Sequence, residues 1–375
     1  MINSEILEIK KQFRHDNCSI TKVSGCYVDG EKVIKTKFTE TFLCLPEEET
    51  FKYFEIFKKT LSGSIGKNLI NMVFQPSAEL NGGAQANLLQ LRDSELKDEN
   101  MLDEFYEKVI QTYDYVGSYL ILLVYAAYDV PGKAKDKTTM EDASDEVYRY
   151  ILCSICPVKL SKPGLSYHED VNQIHKRIQD WVVNAPINGF LYPAFNYRST
   201  DINNLLYYTK DANELHNDFI DQILGSRIPV SAEKQKEVIQ DLIQETVADE
   251  LGYDIVKEFY SKINDNIEEH KLKEIPEPLT MDSESLKKIF ESIGISEEKL
   301  ETLRMNYEKM MGPTAVLLAE NIINRRKFEI KTLDIVIKVN PERTDLVQTK
   351  EIEGKKCIVI EAGNQVEVNG IIINT

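Results

Sequence analysis

Apolar and polar positions follow three successive rhythms along this chain. Residues 3–14 set Ile6, Ile9 and Phe13 at helical spacing, which predicts a short amphipathic helix. SITKVSGCYVDGEKVIKTKF then alternates with a period of two around Asp29-Gly30, a hairpin signal. Pro46 followed by Glu47, Glu48 and Glu49 predicts a helix start, because proline suits the first turn and acids complement the positive end of the helix dipole. That helix runs through Phe54 and Phe57 and stops near Gly63. NLINMVF (68–74) reads as a strand, and residues 84–113 carry helical spacing through Leu88, Leu91, Leu102, Phe105 and Val109. Residues 119–127, YLILLVYAA, are unbroken apolar sequence and predict a strand buried on both faces. A second strand is expected at 148–156 and a helix at 212–224.

From residue 231 to about 270 the pattern is helical throughout. KLKEIPEPLT (271–280) reads as a linker. Asp282 or Ser283 caps a helix over 284–292, and Ser296 opens another. From Lys327 the period returns to two, with Glu353-Gly354 and Asn369-Gly370 as turns. The fold class is α+β: an N-terminal mixed α/β domain (1–227), a helical middle (228–325) and a small C-terminal antiparallel β unit (326–375).

Composition narrows the class. The chain has 375 residues, 42% hydrophobic and 29% charged, which predicts ordered domains rather than disorder. The longest apolar run has nine residues against about 20 for a membrane span. The N-terminus reads MINSEILEIKKQFR, without the apolar stretch of an export signal. A cytoplasmic protein with six free thiols is the expectation. The net charge of −17 argues against broad non-specific nucleic-acid binding. That charge is uneven: −9 over 1–224, −9 over 225–321 and +1 over 322–375.

Candidate chemistry is sparse. Cys153-x-x-Cys156 followed by His168 and His175 offers two thiolates and two imidazoles to a zinc ion. The spacing departs from a zinc finger, and YILCSIC has the character of a strand, which would send the two cysteines to opposite faces. Core thiols and surface histidines are the first reading and zinc the alternative. LSGSIGKN (61–68) approaches a phosphate loop, but two residues, not four, separate its glycines, and Asn68 replaces the magnesium-binding hydroxyl. NGGAQ (81–85) approaches the glycine-glutamine tripeptide of peptide-release factors, interrupted by Ala84. Glu141, Asp142, Asp145 and Glu146 could hold a divalent cation or open a helix. In WVVNAPINGFLYPAFNYR (181–198), Trp181, Phe190, Tyr192, Phe195 and Tyr197 with Arg198 could stack on bases. The Phe190/Tyr192 alternation favours a core strand. Arg325, Arg326 and Lys327 form a short basic patch.

Several stretches together carry a resemblance: FKKTLSGSIGKNLI, LRDSELKDE, YILCSICPVKLSKPGLSY, GFLYPAFNYRSTDINNLLYYTKD and IKVNPERTDLV with VEVNG. They resemble a family of uncharacterised proteins of anaerobic Gram-positive bacteria, catalogued as a domain of unknown function, across the whole chain. That resemblance implies a bacterial cytosolic protein and supplies no catalytic residues. The order of parts is also similar to the bacterial nucleoid-associated protein family, which is acidic and associates with DNA.

The expectation is a non-enzymatic binding protein with DNA or RNA as partner, contacted through Arg325, Arg326, Lys327 and Arg198. A dispersed, metal-assisted enzyme site near Cys153, His168 and His175 is one alternative. A scaffold whose acidic middle meets a basic protein is the other.

Overall fold

The computed structural model describes residues 1–375 apart from 81, 134–138, 141–145, 228–229, 248–251, 274, 276, 313–314, 324–326, 363–365, 369–370 and 374–375. The fold is α+β, and the chain divides into two compact units, Met1–Ser231 and Ala232–Thr375.

The first unit opens with helix α1 (Asn3–Lys10) and the hairpin of β1 (Ile20–Val28) and β2 (Ile34–Thr41). Helix α2 (Glu47–Thr60), strand β3 (Leu69–Val73) and helices α3 (Ala84–Asp93) and α4 (Glu99–Thr112) follow. The two longest strands are β4 (Ser118–Val130) and β7 (Glu146–Leu160), with a two-residue pairing of β5 (Gly132–Lys133) and β6 (Thr139–Met140) between them. Then come β8 (Leu165–His168), β9 (Gln173–Lys176), β10 (Trp181–Val183), β11 (Asn188–Tyr192), β12 (Ala194–Asn196), β13 (Ser199–Asp201), β14 (Asn204–Thr209) and α5 (Asn217–Gln222). The main sheet has the order β2-β1-β4-β7-β11-β14-β3, with β10 also on β7, and every pair is antiparallel.

Both faces of this sheet are covered. Tyr119, Ile121 and Leu123 of β4 pack with Leu88 and Leu91 of α3, Leu102, Phe105 and Val109 of α4, and Phe219 of α5. Leu120, Leu122 and Val124 point the other way, into a core with Ile6 and Ile9 of α1 and Phe54 and Phe57 of α2. Helices on both faces explain why the run 119–127 is apolar without alternation, although the sheet is antiparallel. Close packing leaves Gly189 no room for a side chain. A Cβ there would lie 2.3 Å from the Cys153 carbonyl oxygen and 2.6 Å from Thr60 Cγ2.

The hairpin signalled by Asp29-Gly30 is present, and these two residues open its loop between Val28 and Ile34. The Asp29 carboxylate accepts from the Glu31 and Val33 amides, both at 2.9 Å. Lys32, with φ of 63°, takes the left-handed position, so the loop is longer than two residues. The helix expected over 212–224 is confined to α5. Asp211 Oδ1 accepts from the Asn213 amide at 3.0 Å, and this local turn competes with helix ahead of it.

The second unit holds α6 (Ala232–Val247), α7 (Tyr253–Leu272), β15 (Thr280–Met281), α8 (Ser283–Ser292), α9 (Glu297–Met311), β16 (Leu317–Leu318) and α10 (Ala319–Ile322). Leu242, Phe259, Ile263, Phe290, Leu303 and Tyr307 form its core, with Phe259 and Phe290 stacked at 4.8 Å. Asp282 caps α8 by accepting from the Ser285 amide at 2.8 Å, as the sequence predicts. The chain ends in β17 (Phe328–Lys331), β18 (Val336–Val339), β19 (Val347–Ile352), β20 (Lys355–Ile360), β21 (Val366–Val368) and β22 (Ile371–Ile373). Among the described residues these form three separate antiparallel pairs, not one sheet. Glu353 and Gly354 both take positive φ in the turn between β19 and β20, as their sequence suggests. No described helix is long and apolar enough to cross a membrane.

Candidate functional site

The structure does not bring the four proposed zinc ligands together. Cys153 and Cys156 are fully buried on opposite faces of the sheet, Cys153 toward α4 and Cys156 toward α2. The cause is the period of two along β7. Burial also pushes both thiols well above their ordinary range, so neither is a ready thiolate. His168 and His175 sit apart from them on the β8–β9 hairpin, with ring centroids 6.1 Å from each other. Among the described residues no three His, Cys, Asp or Glu side chains are grouped to hold a metal ion. Glu141, Asp142 and Asp145 lie outside the described residues. Glu146 instead accepts from the Ser199 hydroxyl and the Thr200 amide.

The basic residues fare similarly. Arg198 donates from Nε and Nη2 to the Glu8 carboxylate at 3.0 and 2.9 Å, and from Nη2 to the Pro131 carbonyl at 2.8 Å. This clamp ties the β12–β13 turn to α1 and raises the guanidinium further above its already high range, chiefly through the bond to Glu8. Arg198 is therefore engaged in structure, not presented to phosphate. Lys327 pairs with Glu329 at 2.9 Å. Arg325 and Arg326 lie outside the described residues. Of the aromatic stretch, Phe190, Tyr192 and Phe195 are buried in the core, while Trp181 and Tyr197 are exposed.

The phosphate-loop look-alike has a local task. Gly63 and Gly66 take positive φ between α2 and β3. Asn68 donates to the Thr209 and Lys210 carbonyls at 3.1 and 3.2 Å. It thereby braces the end of β14, and that brace leads to the candidate site.

A cleft of about 1100 Å³ opens at one end of the main sheet. Four strand ends meet there: the start of β4, the end of β7, the start of β11 and the end of β14. Its wall is built from Asp114, Tyr115, Lys159, Asn188, Lys210 and His216, among others. Beneath it runs a buried polar chain. The Tyr113 hydroxyl donates to Asn188 Oδ1 at 2.6 Å, and Asn188 Nδ2 donates to the Tyr207 hydroxyl at 2.8 Å. Burial raises both phenols far above their ordinary range, so they stay neutral donors and acceptors. The His216 ring lies on Tyr113, with centroids 4.2 Å apart. Burial lowers the His216 pKa, partly opposed by the carboxylates of Glu214 and Asp114. It is therefore uncharged at neutral pH.

The rim of the cleft carries four carboxylates, Asp114, Asp211, Glu214 and Asp218, against two ammonium groups, Lys159 and Lys210. The structure shows no ion pair for any of the six among the described residues. No sequence motif marks these residues as a site; their one local signal is the polar density of DANELHND (211–218), which overlaps the helix expected over 212–224.

A family model described as "Domain of unknown function (DUF4317)" matches residues 1–371. The chain belongs to that family. No protein of curated function matches it. The match therefore supplies a family and no chemistry, and the residues of the cleft have to supply the chemistry.

Proposed function

We propose that this protein is a ligand-binding protein whose cleft at the end of the main sheet takes a small organic cation, an amine or a guanidinium compound. The observation that carries this reading is the rim: four acidic residues line a cleft of about 1100 Å³, and none has an ion-pair partner among the described residues. A ligand ammonium or guanidinium would meet charge-assisted acceptors there. Tyr115, half-buried in the wall and stacked on Tyr113, adds an aromatic ring beside the same site. Asn188 is held rigid by two tyrosines, and the neutral His216 adds no repelling charge. The volume suits a molecule of metabolite size.

All six cysteines are free, which fits a reducing, cytoplasmic setting for such a binder. The nucleic-acid and nucleoid readings draw less support. Arg198 is committed to Glu8 and Lys327 to Glu329.

The test is calorimetric titration of the full chain with putrescine, spermidine, agmatine and arginine, alongside inorganic phosphate and glutamate. Saturable binding of at least one cation is expected, weakened tenfold or more by Asp114→Asn combined with Glu214→Gln. Binding of the anions alone, or binding indifferent to the double variant, would overturn the reading.

A further inference from the structure

Between Lys159 and Asn184 the chain leaves the main sheet as a two-stranded ribbon rooted at the rim of the cleft. The Ser161 amide donates to the Asp180 carbonyl and the Arg177 amide to the Gly164 carbonyl, both at 2.8 Å. The ladder continues through β8 and β9, where Ser166 faces His175 and His168 faces Gln173. Residues directly opposed across an antiparallel pair share a face, as do residues two apart on one strand. One face of the hairpin therefore presents Ser166, His168, Gln173 and His175. The other presents Leu165, Tyr167, Ile174 and Lys176. The Tyr167 hydroxyl donates to Asn172 Oδ1 at 2.6 Å and fixes the turn.

We propose that His168 and His175 form a two-imidazole site for a divalent transition-metal ion of the zinc and nickel class. Imidazole nitrogen suits these ions, which bind it at about 2.0–2.1 Å in the case of zinc. The ring centroids are 6.1 Å apart and the ring planes cross at 58°, so modest side-chain rotation brings one nitrogen of each ring onto a shared ion. The neighbours on that face are neutral. Gln173 Oε1 lies 2.7 Å from His175 Nε2, and the Ser166 hydroxyl lies 3.2 Å from His168 Nε2. With Nε2–H donated to the Gln173 carbonyl, the lone pair of His175 is left on Nδ1, a familiar arrangement for an oriented metal ligand. No third His, Cys, Asp or Glu joins the pair among the described residues, so the remaining coordination positions fall to water or an added ligand. The site stands on the hairpin alone and needs neither buried cysteine.

The test is titration of the reduced full chain with Ni²⁺ alone at pH 7.5, after chelator treatment. One equivalent is expected to bind, with affinity falling tenfold or more in His168→Ala and in His175→Ala, and unchanged in His270→Ala. Both substitutions lie on an exposed hairpin, and an unaltered melting temperature confirms that the variants fold. In the wild type, the imidazole NMR signals of both histidines should broaden together as paramagnetic Ni²⁺ is added. Absence of uptake, binding that survives both single variants, or loss in only one of them would overturn the paired site.

Discussion

The polar chain under the cleft makes a sharp energetic prediction. Tyr113 and Tyr207 are fully buried and Asn188 nearly so. Asn188→Ala removes the acceptor of the Tyr113 hydroxyl and one donor to Tyr207. Tyr207 keeps a backbone contact from His216, so the penalty falls mainly on Tyr113. A buried hydroxyl left without a partner costs about 1–3 kcal/mol, and the lost side-chain volume adds to this, giving roughly 2–4 kcal/mol in all. For a unit of this size each kcal/mol lowers the melting temperature by about 2–4 °C, so a fall of roughly 5–15 °C is expected. The assay is urea and thermal unfolding of the full chain followed by circular dichroism.

The diagnostic result is the double variant. Tyr113→Phe alone deletes one hydrogen bond and strands Asn188 Oδ1, at a cost of about 1–2 kcal/mol. In the Asn188→Ala background the same change removes the orphaned hydroxyl and should be neutral or stabilising. A coupling energy of about 1 kcal/mol or more between the two sites is therefore expected. Strict additivity would refute the reasoning, because it would mean that the two groups do not satisfy one another.

Three further outcomes follow from the same geometry. His216 has a folded pKa below the ordinary 6.5, so the unfolded chain takes up its proton first. Its contribution to stability is complete above about pH 6.5 and is lost as pH falls through that value toward the folded pKa. His216→Phe should flatten that part of the stability–pH curve, and an unchanged curve would contradict the assignment. Arg198→Ala should destabilise the first unit by about 1–3 kcal/mol through the partly buried Glu8 it leaves behind, while any retention on immobilised DNA stays unchanged. Altered DNA retention would restore a nucleic-acid role to Arg198. Gly189→Ala should cost more than about 2 kcal/mol, since the added methyl meets backbone oxygen at 2.3 Å, and wild-type stability in that variant would refute the packing described.

Local periodicity carried the fold a long way. The apolar run at 119–127 announced a strand covered on both faces, and the packing of α2 and α4 against opposite sides of β4 explains it. The parity of β7 separated Cys153 from Cys156 on strand geometry alone. What periodicity cannot carry is pairing at a distance. Arg198 reads as a basic residue at an aromatic segment until Glu8, 190 positions away, is seen to hold it. Turn residues fix each of the three closing ribbons locally, while joining hairpins into one sheet needs contacts that no short motif encodes.

The cleft was illegible for the same reason. Its wall comes from residues 112–116, 157–159, 184–188 and 209–218, which antiparallel order gathers at one end of the sheet. The histidine pair was half legible: both residues stood out as ligands, but spacing tied them to the wrong partners. Six residues separate them in sequence, and only the hairpin register shows that they share a face. A register shift of one residue would put them on opposite faces. Inserting one residue within β9 between Gln173 and His175 should therefore abolish the Ni²⁺ site while keeping both imidazoles. Titration of that insertion variant, with wild-type binding as the refuting outcome, separates a geometric site from the mere presence of two exposed histidines.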